Sequence, residues 1–158
     1  MTLDWTRRDH GLFIISIGLT FIVWSISAAL THSSQNILPT WAPSETAFLM
    51  LWGGFYIVAG LSFYFIITEK YIDVRDFITN PSTNVILYEF QLAASIIWAA
   101  LFFGEESFTI SLLFIIVVLI STTYLMGQFR SISKRSFHLI IPYFVWIVLV
   151  TIMNIVIL

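Results

Sequence analysis

The stretch that decides the fold is residues 108–128, FTISLLFIIVVLISTTYLMGQ, which has no charged side chain over 21 residues. A helix rises about 1.5 Å per residue, so a helix of this length crosses the roughly 30 Å hydrocarbon core of a bilayer. A helix also satisfies its own backbone polar groups where no water is available. Residues 108–128 therefore predict a transmembrane helix.

Four further segments share this length and this scarcity of charge. They lie at residues 11–31, 46–68, 84–104 and 137–158. The whole chain is 59% hydrophobic and 10% charged, whereas about a quarter of the residues of a soluble domain are charged. The apolar part of the first segment is longer than the 7 to 15 residues of a signal-peptide core. The sequence thus predicts an all-α membrane protein, with residues 1–158 forming a single domain of five transmembrane helices.

All seven basic residues lie on one side of these five spans. They are Arg7, Arg8, Lys70, Arg75, Arg130, Lys134 and Arg135. By the positive-inside rule, the N-terminus is cytoplasmic, and the loop after the first span and the C-terminus are external. This clean asymmetry, with no leader that looks cleavable, favours a bacterial inner membrane.

The net charge of −2 argues against a nucleic-acid partner, and the absence of cysteine excludes disulfides and thiolate sites.

Ionisable groups are absent from the middle of every predicted span. Glu89 and His138 lie within about two turns of the cytoplasmic edge, where long or polar side chains reach the interface. His10 and His138 could approach one another as axial haem ligands, although interfacial histidines are common. No lysine lies within a span to form a Schiff base, and His32 has no acid nearby except Glu45. Ion pumping and hydrolytic catalysis are therefore disfavoured.

Aromatic and polar residues recur at helical spacing in three spans. The stripes are Phe48, Trp52, Tyr56 and Phe63 in the second span, Gln91, Ser95, Trp98 and Phe102 in the third, and Pro142, Trp146, Val150 and Asn154 in the fifth. Lipid offers no hydrogen-bond partner to Gln91 or Asn154, so these stripes are expected to face the bundle interior. Gly53 and Gly60 would let a neighbouring backbone come close. The fourth span, rich in aliphatic residues, is expected to be the most exposed to lipid.

The depth of the tryptophans suggests a ligand site. Counting about 1.5 Å per residue from the external ends places Trp24, Trp52 and Trp98 roughly 10 Å inside, and Trp146 roughly 18 Å inside. An aromatic belt would instead lie at headgroup level on both surfaces. We therefore expect an interior aromatic cluster beneath residues 32–45, with Trp41 folding down as part of a lid. Such a cavity suits a flat, apolar ligand.

Several short motifs fall in a familiar order. They are PTWAP at 39–43, LW at 51–52, FY at 55–56, Gly60, QL at 91–92, Trp98, FFG at 102–104, PYFVW at 142–146 and Asn154. Together they resemble the TspO/translocator protein family, the tryptophan-rich sensory proteins once called peripheral benzodiazepine receptors. The resemblance covers four helices in the correct order and spacing.

The resemblance implies a five-helix bundle, commonly a homodimer, that binds porphyrins such as protoporphyrin IX or haem, and in some members sterols or benzodiazepine-like drugs. By matching position it implies that Trp41 belongs to the lid and that Trp52, Tyr56, Phe102, Trp146 and Val150 line the pocket. The full set of expected ligand-binding residues is Trp41, Phe48, Trp52, Tyr56, Gln91, Trp98, Phe102, Trp146, Val150 and Asn154. Trp98 and Asn154 match family motif positions but could equally be structural.

This chain departs from the family pattern at a few positions. Ser44 replaces a proline and Ser95 replaces an asparagine, and Val150 stands where the family has a small alanine, which predicts a narrower pocket. No tyrosine or basic residue follows Asn154, so the sterol-recognition stretch is absent.

The sequence therefore favours a tetrapyrrole-binding receptor or translocator in the lipid bilayer that senses or regulates porphyrin levels, with no obligatory cofactor. Two alternatives stay open. One is a light-dependent porphyrin-degrading enzyme, whose indoles exchange electrons with the excited ring. The other is a structural or regulatory subunit without a small ligand.

Overall fold

A computed structural model of the chain describes residues 7–31, 37–71 and 74–158, and for residues 7–9 and 74 it describes the backbone alone. Residues 32–36 of the expected lid, with His32, lie outside the described residues. The helices are α1 (Arg7–Thr31), α2 (Glu45–Lys70), α3 (Val74–Thr79), α4 (Thr83–Ala99), α5 (Phe108–Ile132) and α6 (Lys134–Ile157), and a π-helical turn, Ala100–Gly104, continues α4. The described part of the chain has no strand.

Five of these helices are long and apolar enough to cross a membrane, as the sequence predicted. They are α1, α2, α4 with its π-helical turn, α5 and α6. Several continue past the apolar stretch on the side that carries the basic residues, so that α2 ends at Lys70 and α6 begins at Lys134. These turns lie where a helix leaves hydrocarbon for headgroups and water, which solvate lysine.

The short helix α3 was not predicted. It lies in the connection between the second and third spans, and its Phe77 is buried against the rings of Phe63 and Tyr71 at 6.4 and 5.4 Å. The hydroxyl of Tyr71 accepts a hydrogen bond from the backbone N–H of Ser82 at 2.6 Å. This connection therefore packs against the ends of α2 and α4.

The five long helices form a closed ring in the order α1, α2, α6, α5, α4 and back to α1. Each helix contacts its two neighbours in this ring, and the inward stripes of α2, α4 and α6 meet at the centre. The centre of the bundle is consequently built from aromatic residues of three different spans.

Contact between α1 and α2 depends on glycine. A Cβ on Gly60 would lie 2.7 Å from Thr20 Oγ1 and 3.1 Å from the carbonyl oxygen of Ser16, so only glycine allows this approach. A Cβ on Gly53 would lie 2.9 Å from the ring of Trp24. The expected close approach of a neighbouring backbone is confirmed at Gly60, whereas at Gly53 the close neighbour is the Trp24 side chain.

Two expectations about exposure are wrong. Trp24 does not join the interior cluster, because it lies on the outer side of the α1–α2 contact and donates its indole N–H to the carbonyl oxygen of Leu49 at 3.1 Å. In addition, α1 and not α5 is the least buried span, with 28% of its apolar window buried against 33% for α5. Aliphatic composition does not reveal that α5 packs along both α4 and α6.

A π-helical turn forms the end of α4 away from the basic residues. An α-helix advances 100° per residue, so adjacent residues rarely face the same direction. A π-helix has more residues per turn, and here both Phe102 and Phe103 are buried, at 1% and 2% exposure. The end of α4 thus contributes two phenylalanine rings to the core.

Candidate functional site

Three indole rings from three spans converge in the half of the bundle away from the basic residues. Trp52 of α2 lies 5.4 Å from Trp98 of α4, measured between ring centroids, in an edge-to-face arrangement. Phe48 contacts Trp52 at 5.6 Å and Trp146 of α6 at 5.0 Å, and so links the second and fifth spans. Phe102 stacks on Trp98 at 5.2 Å. All five side chains are buried, and together they are called the aromatic cluster below.

Helical spacing explains most of this convergence. Residues four apart share a face, so α2 presents Phe48, Trp52 and Tyr56 to the centre as predicted. The inward face of α6 includes Tyr143, which is buried, whereas Pro142 is exposed, so the expectation for Pro142 is wrong. Pro142 and Trp146 are four residues apart, which is the spacing of one helix face, but the buried face of α6 contains Tyr143 in place of Pro142.

Sequence reasoning missed Phe103 and Tyr143. Phe103 lies 4.8 Å from Phe102 and 5.8 Å from Trp98, and it belongs to the π-helical turn that continues α4. Tyr143 lies 5.7 Å from Tyr56 across α2 and α6. The motifs that contain Phe103 and Tyr143 were noticed, but α-helical periodicity assigned both residues to other faces.

The cavity at the centre of the aromatic cluster is very small. It measures about 10 Å³ and is lined by Trp52, Tyr56, Ser95, Trp98, Trp146 and Val150, together with two isoleucines. That volume is about enough for one water molecule, whereas small-molecule pockets measure about 300–1,000 Å³. The convergence of indoles is therefore observed, but the hollow expected between them is filled by the rings themselves.

Two side chains that line this cavity, Tyr56 and Trp146, carry unpartnered polar atoms, and further such atoms lie on the same helices. Among the described residues, the hydroxyl groups of Tyr56 and Tyr143, the indole N–H of Trp146 and the amide nitrogen of Gln91 are buried without a hydrogen-bond partner. The two tyrosine hydroxyls approach Ser95 and each other without reaching a hydrogen-bonding geometry. Buried polar groups are nearly always paired, so four such atoms in one region are unusual.

Trp98 and Asn154 are engaged, in contrast. Trp98 donates its indole N–H to Asn154 Oδ1 at 3.1 Å, and Ser111 of α5 donates its hydroxyl to the same oxygen at 2.9 Å. Asn154 Nδ2 donates to the carbonyl oxygen of Phe108 at 2.9 Å. These bonds tie α4, α5 and α6 together and occupy the polar atoms of Trp98 and Asn154.

Comparison with known proteins agrees with this architecture. The sequence model of the TspO/MBR family matches residues 12–158. The chain belongs to the TspO/MBR family. The tryptophan-rich protein TspO of Chlorobaculum tepidum is similar to it, with 23% identity over 140 residues, which cover 89% of this chain and 85% of that protein. Family membership and the five apolar helices together establish an integral membrane protein with a TspO-type five-helix bundle.

In this TspO/MBR protein, the described part of the expected lid packs against the bundle, but the Trp41 side chain does not take part in that packing. Ile37, Leu38 and Ala42 pack on the core, and the N–H of Ala42 donates to the carbonyl oxygen of Pro39 at 2.8 Å to form a turn. Trp41 is 50% exposed, and no ring contact involves it among the described residues. Trp41 therefore lies at the surface of the loop in this conformation.

A second, larger cavity lies on the lipid-facing surface of this family member. It is an apolar groove between α1 and α2 of about 380 Å³, lined by Phe21, Trp24, Gly53, Gly54 and Tyr56 among others. Tyr56 lines both this groove and the central cavity. Tyr56 therefore lies between the groove and the central cavity.

Histidine is absent from the aromatic cluster of this TspO/MBR protein. His10 and His138 are both exposed, and His138 Nδ1 lies within hydrogen-bonding distance of the carbonyl oxygen of Lys134, at 2.6 Å. No cluster of His, Cys, Asp and Glu side chains suited to a metal ion is found within the described residues. Within the described residues the aromatic cluster therefore offers rings and polar atoms, but no histidine for the iron of a haem.

Proposed function

We propose that this protein binds a flat tetrapyrrole, protoporphyrin IX or haem, within the aromatic cluster, as a membrane receptor or translocator that senses or regulates porphyrin levels. The observation that carries the proposal is the group of unpartnered buried polar atoms among converging aromatic rings. A core built for packing alone would place apolar groups at Tyr143 and Trp146.

The energetics support a ligand. An unsatisfied buried donor or acceptor destabilises the fold by about 1–3 kcal/mol. A tetrapyrrole offers a wide π-face for Trp52 and Trp146 and polar nitrogen and carboxylate groups for the free donors. Filling the cluster with such a ligand would satisfy groups that the protein itself leaves without partners.

Binding requires the cluster to open. The cavity of about 10 Å³ cannot hold a macrocycle, so aromatic rings must move apart as the ligand enters. The groove between α1 and α2 offers an apolar ligand a route from the bilayer, because Tyr56 lines both the groove and the central cavity. We propose that ligand passes Tyr56 and displaces the rings behind it.

Tryptophan-fluorescence titration in detergent tests this function. Protoporphyrin IX should quench the emission saturably, and Trp146→Phe should weaken the affinity by about tenfold, because it removes the unpartnered N–H while keeping an aromatic ring. Trp24→Phe is the matched control, since Trp24 lies outside the cluster and already donates to Leu49. Absence of saturable quenching, or equal loss of affinity in both variants, would refute the proposal.

The closed core favours one competitor, a subunit whose aromatic residues only pack the helices together. In that case Val150→Trp would lower stability, and neither the wild type nor the variant would bind protoporphyrin IX saturably. Under the proposed function, Val150→Trp abolishes a quenching that the wild type shows.

The orientation and assembly are part of the proposal. The basic residues support a cytoplasmic N-terminus and an external C-terminus in a bacterial inner membrane. Family resemblance supports a homodimer, and the low burial of α1 gives such a dimer an available face.

A further inference from the structure

Two cavities meet at the end of the bundle that carries the basic residues. The larger, about 480 Å³, is an apolar groove between α4 and α5, lined by Ile86, Leu87, Phe90, Ile120 and Ser121. The smaller, about 310 Å³, is a polar cup lined by Lys70, Ser82, Asn84 and Gln128. Thr83 and Tyr124 line both cavities. The polar cup and the apolar groove are therefore adjacent.

The groove has the length and the apolar lining of a site for a hydrocarbon chain. It runs along α4 from Thr83 to Phe90, which is roughly 10 Å at the rise of an α-helix. Ile86, Phe90 and Ile120 are 53–64% exposed, so these side chains face lipid and leave a furrow between them. A furrow of this kind accepts an acyl chain lying parallel to the helices.

The cup has the chemistry of a site for an anionic headgroup. Lys70 lies in the last turn of α2, with its ammonium 5.7 Å from the centre of the Tyr71 ring. The Ser82 hydroxyl does not cap α4, and the amides of Asn84 and Gln128 add further donors. Within the described residues no acidic side chain lines either cavity.

We propose that the cup and the groove together form a binding site for one anionic phospholipid of the leaflet on the basic side of the membrane. Its phosphate lies against Lys70 and the polar donors of the cup, and one acyl chain lies in the groove between α4 and α5. Lysine at the membrane surface attracts anionic lipids, whereas a zwitterionic lipid has no net charge for it to attract. This site is independent of the aromatic cluster and of any tetrapyrrole.

Native mass spectrometry of the full chain, released from detergent with added lipid, tests the proposal. Phosphatidylglycerol and phosphatidylcholine with the same acyl chains are the two probes. The wild type should retain one phosphatidylglycerol in preference to phosphatidylcholine, and Lys70→Gln should weaken that binding by about fivefold. Lys134→Gln is the matched control, because it removes an exposed lysine on the same side that lines neither cavity.

A second pair of variants tests the groove. Ile120→Trp fills it and should reduce the binding of both lipids, whereas Ile110→Trp, at an exposed position of α5 outside the groove, should not. Equal retention of the two lipids by the wild type, or equal loss in Lys70→Gln and Lys134→Gln, would overturn the proposal. A change in oligomer mass in Ile120→Trp with unchanged lipid binding would also overturn it, because the groove would then be a contact between copies.

Discussion

Trp98 and Asn154 form a hydrogen bond across two spans, with the indole nitrogen 3.1 Å from the amide oxygen. The same oxygen accepts from Ser111, so a single amide connects α4, α5 and α6. The polar atoms of both residues are therefore already occupied. We infer that they position the walls of the aromatic cluster, whereas Trp146 and Tyr56 keep polar atoms available for a ligand.

Replacing Asn154 should therefore lower stability. Asn154→Leu leaves the Trp98 indole N–H and the Ser111 hydroxyl without their shared acceptor, and we expect the free energy of unfolding in detergent to fall by about 1–2 kcal/mol. Ile155→Leu, at the neighbouring exposed position, should change it little. A double-mutant cycle with Trp98→Phe should give a positive coupling energy, and a coupling of zero would contradict the assignment.

The Gly60 contact makes a second prediction. Gly60→Ala places a Cβ within 3.1 Å of the backbone of Ser16 as well as against Thr20, so we expect α1 and α2 to separate and stability to fall by about 1–3 kcal/mol. Gly18→Ala meets no atom within 4 Å and should instead stabilise α1 by about 0.5–1 kcal/mol. Thermal unfolding of both variants in the same detergent checks the opposite signs, and equal shifts would refute the packing argument.

Val150 restricts the central cavity. Val150→Ala removes two methyl groups from its lining, so we expect protoporphyrin IX to bind up to about tenfold more tightly while stability falls, because less of the core must be displaced. Val145→Ala, at an exposed position of the same helix, is the control. Weaker or unchanged binding in Val150→Ala would show that cavity volume does not limit affinity.

The proposed route through the α1–α2 groove predicts a kinetic effect. Gly54 lines this groove, and an added Cβ there meets no atom within 4 Å, so Gly54→Leu fills the groove without disturbing the core. If ligand passes this way, stopped-flow quenching should show association and dissociation both slowed by about tenfold with Kd unchanged, because only the barrier rises. Gly127→Leu on α5 should leave both rates as in the wild type. Unchanged rates in Gly54→Leu would place the route elsewhere.

The orientation is open to a direct test because the chain has no cysteine. We expect a membrane-impermeant maleimide to label the Glu105→Cys variant on intact bacterial spheroplasts, whose inner membrane is sealed. The Ser131→Cys variant should react only after that membrane is broken. The wild type should remain unlabelled throughout. The reverse pattern would invert the proposed topology.

Much of the fold could be predicted from the sequence because the bilayer imposes a strong constraint. A charge-free stretch such as residues 108–128 must be helical in hydrocarbon, and helical spacing then identifies the inward face of Trp52 and Tyr56. The short helix α3 lies in a polar connection where no such constraint applies, and its position depends on Phe77 packing against residues distant in sequence.

The candidate site could be predicted only in part. Periodicity placed Phe48 and Trp146 on facing surfaces, but it assumed an unbroken α-helix through residue 104 and so missed Phe103. Depth counting placed Trp24 with the other tryptophans, although α1 turns that ring away from the centre. The number of residues from the end of a helix gives the depth of a side chain in the membrane. It does not tell which neighbouring helix that side chain faces.

The sequence by itself determined the five spans, the common side of the basic residues and the set of aromatic residues that could meet. The tertiary structure alone decided that these rings fill the space between them and that Trp146 keeps a free N–H while Trp98 does not. It also decided that the polar cup lined by Lys70 adjoins a lipid-facing groove. The physical reason is that hydrophobicity and helical periodicity are properties of residues close together in the sequence, within one helix. The volume of a cavity, the pairing of hydrogen-bonding groups and the position of one cavity beside another depend instead on distances between side chains of different helices.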